Sequence, residues 1–131
     1  MTATDEAKNL AIQAALAASD KLATDIIAID VSEHLVITDV FVLCSAANEP
    51  QVKSVVDAVE ERLLQHKAKP LRREGEQGAR WVLLDYGDIV VHVQLVEERI
   101  HYAIERLWKD CPVIELPTEV NLPRMVQGVA E

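Results

Sequence analysis

A chain of 131 residues, half of them apolar, fits one domain around one core; divided in two, each half would bury too little to stand without metal or disulfides. The formal net charge of −9 and the sequence pI of about 4.9 leave no basic stripe, because the densest basic cluster is Lys67, Lys69, Arg72 and Arg73 around a turn. That excludes phosphate-driven nucleic-acid binding as the main source of affinity and suits a basic protein partner instead.

Taken in chain order, the first element is a helix from Glu6 to Leu22, with Leu10, Ala14, Ala15, Ala18 and Leu22 at helical spacing and Asp5 able to cap it. The β-branched run Asp25 to Val31 predicts a strand. Ser32-Glu33-His34 then turns the chain into a second strand, Leu35 to Cys44, as an antiparallel hairpin. Asn48 is a good N-cap for a helix ending near His66, with Pro50 in its first turn and Val52, Val55, Val56, Val59 and Leu63 as its apolar stripe. Lys69 to Glu74 predicts a short strand before the Gly75 to Gly78 turn.

Arg80 to Tyr86 and Ile89 to Val96 are strongly β-prone and separated only by Gly87-Asp88, the clearest hairpin signal in the chain. A last helix, Glu97 to Lys109, carries Ile100, Ala103, Ile104, Leu107 and Trp108 on its apolar side and Tyr102 on the other. The domain is expected over residues 1–110. With Pro112, Pro117 and Pro123, residues 111–131 read as an irregular or flexible tail. The order α-β-β-α-β-β-β-α implies a single α/β domain with one mixed sheet packed with helices.

Cys44 and Cys111 have no ligand-type spacing and the four histidines are dispersed, so reduced thiols and no metal or cofactor are expected. The polar N-terminus lacks a signal-peptide core and the apolar runs are strand-sized, which points to a cytoplasmic protein without a membrane span.

Few side chains invite chemistry. Asp39 interrupts an apolar run on the face of Ile37 and Phe41, as a binding-face acid or a hydrogen-bonded structural one. Asp85 and Asp88 flank the hairpin turn, three residues apart, a spacing that suits turn chemistry better than a shared Mg²⁺. His92 sits mid-strand with no nucleophile motif tied to it, and no phosphate-binding glycine loop exists. A divergent Mg-dependent nucleotidyltransferase-like enzyme using Asp39 and Asp85 is the alternative to a binding protein, and it has a poor phosphate loop in Ser45-Ala46-Ala47. Interaction chemistry is better supplied. Trp81 shares an alternating strand face with Leu83 and Asp85, Tyr86 ends that strand on the other face, and an aromatic beside acids can anchor an interface.

In order, these stretches resemble the Iojap or ribosome silencing factor family. The likeness is carried by Lys21-x-Ala23-x-Asp25-Ile26, Thr38-Asp39-Val40-Phe41-Val42, Ser45, Gln51-Val52 and Glu74-Gly75. It is densest from Trp81 to Val93 and closes with Arg99-x-x-Tyr102-x-x-Glu105-Arg106-Leu107-Trp108. It covers about residues 6 to 110. The chain departs from the family's usual residues at Val40, Ala46, Pro50, Gln94 and His101; position 94 is often Phe in the family. The resemblance implies a nucleotidyltransferase-like topology without the catalytic motif, a homodimer when free, and no enzymatic activity. It also implies binding to the large ribosomal subunit through its basic ribosomal protein fourteen, which blocks subunit joining and lowers translation when nutrients are short. Motif matching places the partner-binding surface at Trp81, Asp85 and Tyr86, with Asp39, Glu74 and Asp88 as nearby acids.

Overall fold

The structure, a computed structural model, describes residues 3–35, 38–75, 80–102 and 109–120, the side chains of 100–102 excepted. Helix α1 spans Asp5–Asp20 and is alanine-rich along the side it buries, so it lies close against both the sheet and its neighbour. Its N-cap is Thr4, not Asp5: the Thr4 side chain accepts the Ala7 N–H at 3.0 Å. Strand β1, Thr24–Asp30, pairs antiparallel with β2, Val40–Ala46. The hairpin pairing is as expected, but β2 starts five residues later than the β-prone run suggests. The β1–β2 ladder begins at Asp30 opposite Val40, and the Asp39 and Val40 amides both donate to the Asp88 carbonyl.

Helix α2, Glu49–Gln65, is capped by Asn48, whose side chain accepts the Gln51 N–H at 2.9 Å. It is followed by the three-residue strand β3, Arg72–Glu74, then β4, Trp81–Asp85, β5, Ile89–Leu95, and helix α3, Val96–Tyr102. The predicted continuation of α3 through Trp108 lies outside the described residues.

The sheet order is β1-β2-β5-β4-β3, with β2 and β5 parallel at the centre and every other pair antiparallel. The result is a mixed α/β single domain. Alternation gives the sheet two faces. One packs Val42, Cys44, Val82, Leu84, Val91 and Val93 against α1 and α2 as the main core. The opposite face holds a smaller cluster of Ile29, Leu43, Val31 and Cys111, with Ile27, Leu35 and Phe41 packed on it. Residues 112–114 run back along the Ala28–Asp30 end of β1. The Asp30 amide donates to the Pro112 carbonyl and the Ile114 amide to the Ala28 carbonyl, each at 2.8 Å. The Ser19 hydroxyl donates to the Val120 carbonyl at 2.5 Å, fastening a 3-10 turn at Thr118–Val120 onto α1. This covers the edge of β1, which would otherwise present unpaired backbone groups.

Candidate functional site

The face of the sheet away from α1 and α2 carries the candidate residues. On β4 the burial pattern alternates so that Trp81, Leu83 and Asp85 are half-exposed there while Val82 and Leu84 are buried behind, as the strand period requires. Register then sets their neighbours. Trp81 lies opposite Gln94, Leu83 opposite His92, and Asp85 opposite Val90. On the other side of β5, Gln94 faces Ser45 and His92 faces Leu43. The Trp81 indole meets the His92 imidazole edge-on, with ring centres 5.7 Å apart.

Gly75 decides where that indole can sit. It has φ +81°, and a Cβ there would lie 2.5 Å from Trp81 ring carbons and 2.6 Å from its carbonyl oxygen. Only a residue without a Cβ allows the ring this close to the backbone.

The candidate acids form two groups toward the other end of β4. On the edge, Arg72 of β3 stands between Glu74 at 3.4 Å and Asp85 at 3.7 Å, and Asp85 also accepts the Gly87 N–H at 2.8 Å in the turn. These are solvent-facing contacts that orient more than they stabilise. Asp88 is exposed at the turn; its carbonyl ties down Asp39 and Val40. The Asp39 carboxylate accepts the Thr4 amide at 3.1 Å, which is the hydrogen-bonded structural use of that residue. Tyr86 is not beside Trp81. It is buried on the helix-covered face, as strand alternation from Trp81 predicts, and its hydroxyl has no partner among the described residues. The two carboxylates that a metal-dependent reaction would need, Asp39 and Asp85, are each committed to a separate backbone amide. Among the described residues there is no group of three or more His, Cys, Asp or Glu side chains placed to hold a metal ion.

Burial dominates the electrostatics behind the face. Desolvation, with a smaller push from Arg99, lowers the His92 pKa to about 4, so the imidazole is neutral at ordinary pH. The Cys44 thiol is fully buried and pushed up to about 12, which leaves it unreactive. Sequence reasoning passed over Gln94. It is completely buried, and among the described residues neither of its amide atoms nor the neighbouring His92 Nε2 has a hydrogen-bond partner. The available signal was its departure from the aromatic that the family often has there. At the same end of the face, Arg99 of α3 donates to the Asp25 carbonyl and, at 3.2 Å, to the Ser45 hydroxyl; Glu98 pairs with Arg80 at 2.5 Å. Both contacts fix α3 to the strand ends. No helix among the described residues is long and apolar enough to cross a membrane.

Fold and site together define a single α/β domain whose mixed sheet has one helix-covered face and one face lined by Trp81, His92 and acidic side chains. The sequence profile of the family described as ribosomal silencing factor during starvation matches residues 4–129. The ribosomal silencing factor of Bacillus subtilis is 36% identical over 108 residues, covering 82% of this chain and 92% of that protein. A mouse protein named for mitochondrial assembly of the ribosomal large subunit is 30% identical over 89 residues, 66% of this chain but 39% of its own length. A crystal structure of a Chromobacterium violaceum protein superposes with a TM-score of 0.74 at 32% identity, covering 77% of this chain and 84% of that one. The chain belongs to the ribosomal silencing factor family.

Proposed function

We propose that this chain binds the large ribosomal subunit through the basic ribosomal protein fourteen and blocks joining of the small subunit by occupying the space between them. The observation that carries this reading is the half-exposed Trp81 on the sheet face opposite the helices, with Asp85 farther along the same strand face and Glu74 opposite Leu83 between them. An aromatic anchor on a face that also carries carboxylates suits a basic protein surface, and a net charge of −9 disfavours rRNA as the primary contact. The family description and the name of the mouse relative support a ribosomal partner. Asp88 adds an acid at the turn, and Asp39 and Tyr86 support the surface from behind through the hairpin turn and the core. A domain roughly 30 Å across is large enough to obstruct an interface without covalent chemistry. The free protein is a homodimer in this reading, and it acts in the cytoplasm to lower translation when nutrients are short.

Sedimentation of separated subunits, mixed with the protein before Mg²⁺ is raised to drive joining, tests the reading. The expected result is co-migration with the large subunit and a smaller joined peak, both lost in a folded Trp81→Ala, Asp85→Lys variant. Normal joining with the protein left at the top of the gradient overturns the function. Full blocking by the double variant overturns the surface.

A further inference from the structure

Strand register lays out the sheet face opposite the helices as rows. One row runs Ile29, Phe41, Val90, Asp85, Arg72 from β1 to β3, and the next runs Ile27, Leu43, His92, Leu83, Glu74. Both begin apolar and end charged at the β3 edge. Asp85 and Glu74 are therefore diagonal neighbours across the β3–β4 pair. Arg72 adjoins both of them, directly opposite Asp85 and two residues before Glu74 on the same face of β3.

The Arg72 guanidinium stands between these two carboxylates. Its Nε is 3.4 Å from Glu74 Oε1 and its Nη2 is 3.7 Å from Asp85 Oδ2. Both distances exceed the about 2.7–2.9 Å of a charge-assisted hydrogen bond, so proximity holds the cation more than bonding geometry does. The Asp85 Oδ1 is already committed to the Gly87 amide at 2.8 Å. Its Oδ2, the oxygen left to meet a partner, is the one that Arg72 approaches. The side chains of Arg72, Glu74 and Asp85 are 63%, 45% and 26% exposed, and β3 is the last strand of the sheet, so the arginine has solvent to swing into. Arg73, one residue on, lies on the helix-covered side and pairs with Glu60 of α2 at 2.6 Å.

We infer, on the strength of the partner surface proposed above, that Arg72 is an internal competitor of the basic partner. Its guanidinium occupies the two carboxylates that a partner lysine or arginine takes on docking, and it swings aside to let that side chain in. A cation standing in this place also repels an incoming one. Exposed pairs of this kind are weak, so displacing Arg72 is a modest and reversible cost that tunes affinity without abolishing it. The long arginine stem can vacate the pair with no movement of the strand.

Titration of the full chain against separated large ribosomal subunits at fixed ionic strength, read as the fraction that sediments with them, tests this role. Arg72→Ala is expected to bind about three- to tenfold tighter than the parent, the worth of one or two released surface ion pairs. Arg73→Ala removes the same charge from the other side of β3 and is expected to stay within about twofold of the parent. In a Glu74→Gln background, where one of the two carboxylates is already neutral, the gain from Arg72→Ala is expected to shrink. Unchanged or weaker binding by Arg72→Ala overturns the inference. So does equal tightening by Arg73→Ala, or an undiminished gain in the Glu74→Gln background, since either reduces the effect to net charge. A parent chain that fails to sediment with the subunit overturns the proposed function itself, whereas a parent that binds with no gain in Arg72→Ala overturns only the competitor.

Discussion

Replacing His92 by Leu is expected to remove a specific stretch of pH dependence from the stability of this domain. The imidazole lies between Leu43 and Leu83 in register, edge-on to Trp81, and its Nε2 is buried without a partner among the described residues. Burial first, and the Arg99 charge second, bring its pKa from 6.5 down to about 4. The sign follows from which state takes up the proton. Below pH 6.5 the unfolded chain protonates this histidine while the folded one holds it neutral, so stability falls as pH drops from about 6.5 to about 4 and then levels off. Over that window the loss is about 3 kcal/mol, a large share of the stability of a domain this size. Asp30 contributes in a lower window. Burial opposes its ionisation, but hydrogen bonds from the Ser32 hydroxyl and the Ala3 amide outweigh that and hold its pKa below the ordinary 3.8. Urea unfolding at about pH 7 and about pH 4.5 reads the effect as a change in extrapolated free energy. The His92→Leu protein is expected to lose about 2–3 kcal/mol less than the parent between those two points. At pH 7 the two should be close, since leucine removes an unsatisfied nitrogen and fits among leucines. Parallel loss of stability in both proteins would refute the argument that this imidazole is buried neutral.

Three further substitutions probe the fold. Gly75→Ala places a Cβ against the Trp81 ring at a φ of +81°, and is expected to cost at least about 1–2 kcal/mol in denaturant unfolding and to alter the Trp81 emission; an unchanged midpoint and spectrum would contradict the close approach. Leu84→Ala, fully buried beneath the helices, should cost about 2–5 kcal/mol by the same assay without shifting tryptophan exposure in the folded state. Thr4→Ala removes the cap of α1 and should cost about 1 kcal/mol in thermal unfolding, whereas Asp5→Ala should cost less; the reverse ranking would move the helix start.

What the sequence determined by itself was whatever depends on neighbours along the chain. The valine stripe of α2 and the Asn48 cap are set within a few residues, because helical periodicity and capping are local. The two-residue Gly87-Asp88 connection forces β4 and β5 to pair, and strand alternation alone places Trp81 and Asp85 on one face and Tyr86 on the other. The family resemblance rests on the same stretches.

Tertiary structure decided the rest. No local signal places β5 beside β2 in parallel, since that contact joins segments some fifty residues apart through α2, β3 and β4. The late start of β2 follows from it, because a β-prone run becomes strand only where a partner exists to pair with it. Asp39 looked like an acid on an apolar face, and became a structural acceptor only because folding brings Thr4, 35 residues earlier in the chain, to its carboxylate. Gln94 reads as an ordinary polar strand residue until the sheet closes around it with Trp81 on one side and Ser45 on the other. A cleft between α1, the α2 exit and the β4–β5 turn exists in no single segment, since Glu6, Lys67, Lys69 and Asp88 come to line it only when three distant pieces of backbone meet.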